Sequence, residues 1–276
     1  MSDLLEAVVL GIVQGLTEFL PVSSTGHLIL MERFLGISEE EFGLQFDAAI
    51  HLGTLAAVLI FFRHTAVALA RAWWDSIIAR DWRKSLHSRL AWLLIVGTLP
   101  AAVIGAAIEN TAESTFRSPE LVAFMLVVFC LPLLLAERLG AQTRGLHDAG
   151  IGDALLVGVA QSIALVPGVS RSGITISAAM LAGLRREEAA VFAFLLSAPI
   201  IAGAGGKQLF DALSGSSGSE AGLHVYAAGM LAAAVVGYAA IAFLLRYLRG
   251  NPLHAFIAYR VALAAIVFGL AAAGVL

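Results

Sequence analysis

Charge is scarce in this chain of 276 residues: only 13% of its positions are charged, whereas 59% are hydrophobic, and the mean hydropathy is +0.89. A soluble domain carries roughly 25% charged residues, so a water-soluble globular protein is excluded. Cysteine is almost absent too. The single Cys130 rules out an intrachain disulfide and, inside an apolar run, reads as a small packing residue. There is no Gly-rich nucleotide loop and no His/Cys array for a structural metal. A secretory signal is not evident either, because Asp3 and Glu6 precede the first apolar run where a basic segment would stand. The net charge of −3 gives no reason to expect a nucleic-acid partner.

What is present is apolar sequence in lengths near the ~20 residues of a membrane span. Continuous runs cover 46–62, 90–108, 119–138, 189–207, 223–246 and 252–274. Two further regions, 3–35 and 151–183, are apolar but interrupted by polar clusters that follow Pro21 and Pro167. Their second arms would rise only about 20 Å at 1.5 Å per residue, short of the ~30 Å hydrocarbon core. Each region is therefore expected to be a re-entrant helical hairpin. The fold class expected is an all-α polytopic membrane protein with about six transmembrane helices and two such hairpins.

Loop charges orient the chain. The 63–89 connection carries Arg63, Arg71, Arg80, Arg83, Lys84 and Arg89, which places it in the cytoplasm. Trp73, Trp74 and Trp82 suit an interfacial, partly helical course there. The loop around Glu109, Glu113 and Arg117 should face out, and so should the Gly/Ser-rich 208–222 segment with Asp211 and Glu220. Arg138, Arg144, Arg185, Arg186, Arg246 and Arg249 belong inside. Glu137, at the inner end of a span, reads as an anchor. All loops agree if each hairpin leaves on the side it entered, which puts both termini, Ser2 and Leu276, outside. The chain then divides into inverted repeat halves of approximately 1–140 and 150–276 within one membrane domain. "GIVQGLTEFLPVS" from Gly11 and "GVAQSIALVPGVS" from Gly158 keep a trace of that duplication. Inverted repeats with broken helices bring their polar tips together near the midplane.

The tips carry the chemistry. Gln14 and Glu18 lie four apart on one helical face, and an ionisable group inside a span must face protein or a water-filled cavity. Ser23, Ser24 and Thr25 open the second arm, more hydroxyls than one helix cap needs, and His27 follows one turn on. In the second tip, Ser170, Arg171, Ser172 and Thr175 begin a helix just after Pro167-Gly168. Free N–H groups at a helix start together with a guanidinium make an anion pocket suited to phosphate. Each residue has a structural alternative: Glu18 as a packing carboxylate, His27 as a hydrogen-bonded core residue, Arg171 as a plain ion-pair partner of Glu18. Asp47 and His51 share a face and could line an entry, although Asp47 also reads as simply solvated.

The two tips resemble the "(E/Q)xxxE…PVSSTGH" and "PGxSRSxxT" motifs of the undecaprenyl-diphosphate phosphatases, also called bacitracin-resistance proteins. The likeness extends over essentially the whole chain and includes "AYR" ending at Arg260. It implies removal of the terminal phosphate from undecaprenyl diphosphate, recycling the lipid carrier for cell-wall synthesis at an outward-facing site of the bacterial cytoplasmic membrane. It also implies a divalent cation, Mg²⁺ or Ca²⁺. Carried over by position, the functional set is Glu18, Ser24, His27, Arg171 and Arg260. Gln14 stands where some members have Glu, which leaves Glu18 and Gln14 as the metal candidates. Ser23, Thr25, Gly168, Ser170, Ser172, Thr175 and Arg260 are expected to bind substrate. Two routes stay open: attack by Ser24 after His27 takes its proton, or water activated by His27 and Glu18, with Glu18 orienting His27 or holding the cation. The expected partners are the lipid diphosphate and membrane lipid; a homodimer is compatible with the sequence. The rival from another class is a transporter or flippase for a phosphorylated isoprenoid lipid.

Overall fold

The computed structural model describes residues 3–37, 39–115, 118–213 and 222–274; Ser2, Arg117, Glu220 and Leu276, named above for topology, lie outside them. Twelve α-helices are found among these residues, in chain order α1 (Asp3–Phe19), α2 (Ser24–Leu35), α3 (Glu39–Phe61), α4 (Arg63–Ala79), α5 (Leu86–Thr115), α6 (Pro119–Val128), α7 (Cys130–Leu139), α8 (Ile151–Ile163), α9 (Arg171–Leu181), α10 (Arg186–Leu213), α11 (Leu223–Leu248) and α12 (His254–Ala272). No strand occurs among the described residues; one isolated bridge joins Arg144 and Leu184. Five segments are long and apolar enough to cross a membrane: Leu86–Ala107, Pro119–Leu139, Arg186–Lys207, Leu223–Leu248 and His254–Ala272. The remaining expected span, 46–62, falls in α3, which turns by 83° into α4. The chain is thus an all-α, multi-pass membrane protein. Its outer faces agree: α11 alone exposes Leu231, Val235 and Phe243, a strip natural against lipid and unfavourable in water.

Proline sets the irregularities. Pro132 has no N–H for the Val128 carbonyl, and the span 119–139 is interrupted at Phe129 between α6 and α7. Pro21 and Pro167 stand in the breaks between α1 and α2 and between α8 and α9. With 12 and 11 residues, α2 and α9 reach less than about 20 Å at 1.5 Å per residue.

Close backbone approaches seat the first arm of each hairpin. A Cβ on Gly11 would lie 2.3 Å from the Gly229 carbonyl oxygen of α11, and one on Gly158 would lie 2.3 Å from the Gly97 carbonyl oxygen of α5. Gly158→Val should therefore unseat α8 from α5 at a cost of about 3 kcal/mol or more. Gly152→Ala, on the same helix with open space around it, should cost almost nothing. The difference in thermal stability of the two detergent-solubilised variants measures it.

At one end of the bundle the arginine-bearing connections meet. The Arg144 N–H donates to the Gly183 carbonyl, and the Arg185 N–H to the Arg144 carbonyl. Arg249 Nε is 2.9 Å from Glu187. Glu137 receives Arg186 Nε at 2.9 Å and the Leu253 N–H at 2.8 Å, so this carboxylate ties α7, α10 and the start of α12 together.

Candidate active site

The two helix breaks touch directly. Ser172 Oγ donates to the Leu20 carbonyl at 2.8 Å, and the Gly168 N–H donates to Ser23 Oγ at 3.1 Å. They also share one conformation. Ser23 has φ 74°, ψ 95°, and Ser170 has φ 77°, ψ 108°; each is an N-cap whose hydroxyl accepts the N–H of the glycine three residues on, Gly26 or Gly173. Positive φ at a non-glycine residue costs about 1–3 kcal/mol and persists where the surroundings over-determine it. The residue after each cap is the first of its helix: Ser24 in one tip, Arg171 in the other.

Those two residues meet at Glu18, which lies in the last turn of α1 and is only 6% exposed. Its Oε2 accepts Ser24 Oγ at 2.6 Å and Gln14 Nε2 at 3.0 Å. Its Oε1 lies 3.2 Å from Arg171 Nη2. His51, from α3, brings Nε2 within 3.5 Å of Oε2, while its Nδ1 is 2.6 Å from the Asp47 carbonyl. A carbonyl only accepts, so the proton of neutral His51 is on Nδ1. Phe194 and Ser197 of α10 close the cleft beside Glu18, Arg171 and Thr175, with Phe194 edge-on to Phe19 at 5.2 Å.

Other residues singled out in the sequence stand elsewhere. His27 does not meet Glu18 or Ser24. Its Nδ1 is 2.7 Å from the Ser23 carbonyl, and its Nε2 is 2.7 Å from the Tyr259 hydroxyl, with the two rings stacked. Three positions along α2 thus separate a side chain facing α1 from one facing α12. Arg260 does not line the cleft either: it is fully buried and directs its guanidinium at backbone carbonyls. Thr175 Oγ1 donates to the Arg171 carbonyl of its own helix at 2.7 Å. Ser23, Ser170 and Ser172 have hydroxyls engaged within or between the tips, Thr25 is half-buried in the first turn of α2, and Gly168 (φ 93°) makes the turn before Ser170. Asp47 is buried rather than solvated. Tyr259 carries a signal only as the middle of "AYR"; Phe194 and Ser197 carry none, since they sit inside an ordinary apolar span.

No three His, Cys, Asp or Glu side chains converge on a metal position among the described residues. One oxygen beside Glu18 is nevertheless orphaned: Gln14 Oε1 is buried without a hydrogen-bond partner. Together with the single carboxylate it fits a hard cation carried largely by phosphate oxygens, as Mg²⁺ commonly is.

Comparison with known proteins agrees with the tips. The family model described as bacitracin resistance protein BacA matches residues 7–266. An undecaprenyl-diphosphatase of Rubrobacter xylanophilus is 50% identical over 270 residues, covering 98% of this chain and 99% of that protein. Undecaprenyl-diphosphatases of a Nocardioides species and of Moorella thermoacetica are 42% and 44% identical, covering 100% and 95% of this chain and 99% and 96% of the relatives. With both tip motifs inside the matched region and the match running nearly end to end, the chain belongs to the bacitracin resistance protein BacA family.

Proposed function

We propose that this protein is an integral-membrane undecaprenyl-diphosphatase whose reaction centre is the contact between the two tips. The observation that carries the mechanism is the 2.6 Å hydrogen bond from Ser24 Oγ to Glu18, with Arg171 on the other carboxylate oxygen. Ser24 Oγ attacks the terminal phosphorus and passes its proton to Glu18 Oε2. The bond from that phosphorus to the bridging oxygen breaks, and undecaprenyl phosphate leaves. Water then attacks the phosphoserine: its oxygen bonds to phosphorus, the Ser24 Oγ–P bond breaks, Glu18 returns its proton to Ser24, receives one from the water and passes that one to the departing inorganic phosphate, which leaves the carboxylate ionised again. Arg171 and the positive end of the α9 dipole stabilise charge on the transferring group, and in phosphoryl transfer such positioning and electrostatics are nearly the whole of catalysis. Glu18, not His27, is the base in contact with the hydroxyl, which replaces the Ser24–His27 route expected from spacing. In the water route the same Glu18 would activate the nucleophile directly.

A divalent cation belongs to this reading: Gln14 Oε1 and Glu18 would hold it together with substrate oxygens, and when bound it would neutralise diphosphate charge. The reading also includes an inverted repeat, halves 1–140 and 150–276, with both hairpins re-entrant. The matched caps at Ser23 and Ser170, and the matched seats of Gly11 and Gly158, support it. Convergence of the arginine-bearing connections at one end of the bundle supports an orientation with that end in the cytoplasm and the site opening outward from the bacterial cytoplasmic membrane.

Purified protein in detergent should release one inorganic phosphate per undecaprenyl diphosphate. Movement of the intact lipid between leaflets of a proteoliposome without phosphate release would favour the transporter instead. The names of the relatives do not favour that alternative.

A further inference from the structure

Arg260 heads the largest fully buried side chains among the described residues, at 0% exposure, yet the phosphatase mechanism makes no use of it. A guanidinium is costly to bury unless its donors are matched. Here no carboxylate meets it among the described ion pairs, and backbone carbonyls do the work. Nε donates to Leu126 at 3.0 Å; Nη1 donates to Pro21 and Val169, both at 3.2 Å; Nη2 donates to Met125 at 3.3 Å and Gly168 at 2.9 Å. A guanidinium has five N–H donors. All five are engaged, so none is left for a phosphate.

The identity of the carbonyls gives the arrangement its meaning. Pro21 lies two residues before the Ser23 cap, and Gly168 lies two residues before the Ser170 cap. Arg260 therefore grips the same backbone position in both tips and fastens both to α6 through Met125 and Leu126. Three residues beyond each gripped carbonyl stands Ser24 or Arg171. The preceding residue of α12 extends the grip: the Tyr259 hydroxyl donates to His27 Nε2 at 2.7 Å, and His27 Nδ1–H holds the Ser23 carbonyl at 2.7 Å. These anchors bear on the strained backbone of the tips.

We propose that Tyr259 and Arg260 form a positioning bracket that sets Ser24 against Arg171 across the two tips, and that Arg260 is not a ligand of the diphosphate. The bracket rests on the assignment of Ser24, Glu18 and Arg171 as the reaction centre. A lysine at 260 keeps the charge but offers three donors from one point, which cannot span carbonyls on three chain segments.

The test compares Arg260→Lys and Tyr259→Phe with the wild-type protein, measuring kcat, KM for undecaprenyl diphosphate and the inhibition constant of inorganic pyrophosphate. A displacement near 1 Å of a catalytic group can cost roughly 100-fold in rate. Arg260→Lys should lose about that much kcat, with KM and the pyrophosphate constant within about twofold, because Arg171 still receives the phosphates. Tyr259→Phe should lose about 5- to 10-fold in kcat, a fraction of the same effect, again with KM unchanged. A pyrophosphate constant raised tenfold or more with kcat little altered would make Arg260 a phosphate ligand and overturn the proposal. So would near wild-type kcat in Arg260→Lys. If Arg260→Lys does not fold, Tyr259→Phe decides alone: wild-type kcat in that variant overturns the bracket. Failure of the functional assignment is distinguishable, since the wild-type protein itself would then release no phosphate.

Discussion

Ser24→Ala should lower turnover by at least about 10³-fold while leaving the affinity for undecaprenyl diphosphate nearly unchanged, as expected when a nucleophile is removed but phosphate recognition is not. The hydroxyl is small, and Arg171 and the start of α9 remain in place. Glu18→Gln preserves shape but cannot accept the Ser24 proton, since an amide oxygen is a far weaker base than a carboxylate. Its loss should be of similar size. Because Ser24 and Glu18 share one hydrogen bond of 2.6 Å, the double variant should be little worse than either single one, the pattern of residues acting as a unit. His27→Ala should lose less than Ser24→Ala, because His27 touches the Ser23 carbonyl and Tyr259 rather than the hydroxyl. Acid quenching of the reaction with terminally labelled substrate should leave label on Ser24. Substantial turnover by Ser24→Ala would end the covalent route and leave attack by water with Glu18 as base. Equal, complete loss in His27→Ala would return the histidine to direct proton transfer.

The parts of this arrangement that sequence can express are those written in local chemistry. Pro21 and Pro167 remove N–H groups where the helices break, the hydroxyls after them cap α2 and α9, and five of the six apolar runs lie in helices long and apolar enough to span. The pairing of Glu18 with Arg171 could be raised from sequence because each is an ionisable residue set in an apolar region beside a helix break, where an opposite charge is the natural partner. The partners of His27 and Arg260 could not. Arg260 bonds chiefly to backbone carbonyls, and every residue has a carbonyl, so no side-chain pattern announces them; the family resemblance pointed to substrate instead. His51 reaches Glu18 because α3 packs beside α1, a fact of tertiary packing that leaves no trace in spacing. Thr175 shows the converse. It looks like a ligand in a polar tip, yet it donates to the carbonyl four residues back on α9, an outlet open to any helical hydroxyl.

The same reasoning gives Arg171→Lys a large expected effect despite its conserved charge. Arg171 is half of an ion pair with Glu18 at 3.2 Å, and its side chain is partly open to the cleft. If the pair were only structural, a lysine would answer it: removing one partner of a buried pair is costly because it strands a charge, and an ammonium avoids that. The transferring phosphoryl group asks for more. Its charge is spread over several oxygens, and a planar guanidinium can offer two parallel N–H bonds to them while an ammonium acts as a point. Losing one preorganised donor to developing charge typically costs about 10²–10³ in kcat. Arg171→Lys should therefore fall by roughly 100-fold or more in kcat, with a smaller rise in KM, since the contact strengthens in the transition state. Its thermal stability should stay within about 1 kcal/mol of wild type, the range of a modestly altered ion pair. That combination separates the two roles. A folded Arg171→Lys protein with near wild-type kcat would reduce Arg171 to a counter-ion for Glu18, and phosphate recognition would have to be sought among the N–H groups of α9 alone.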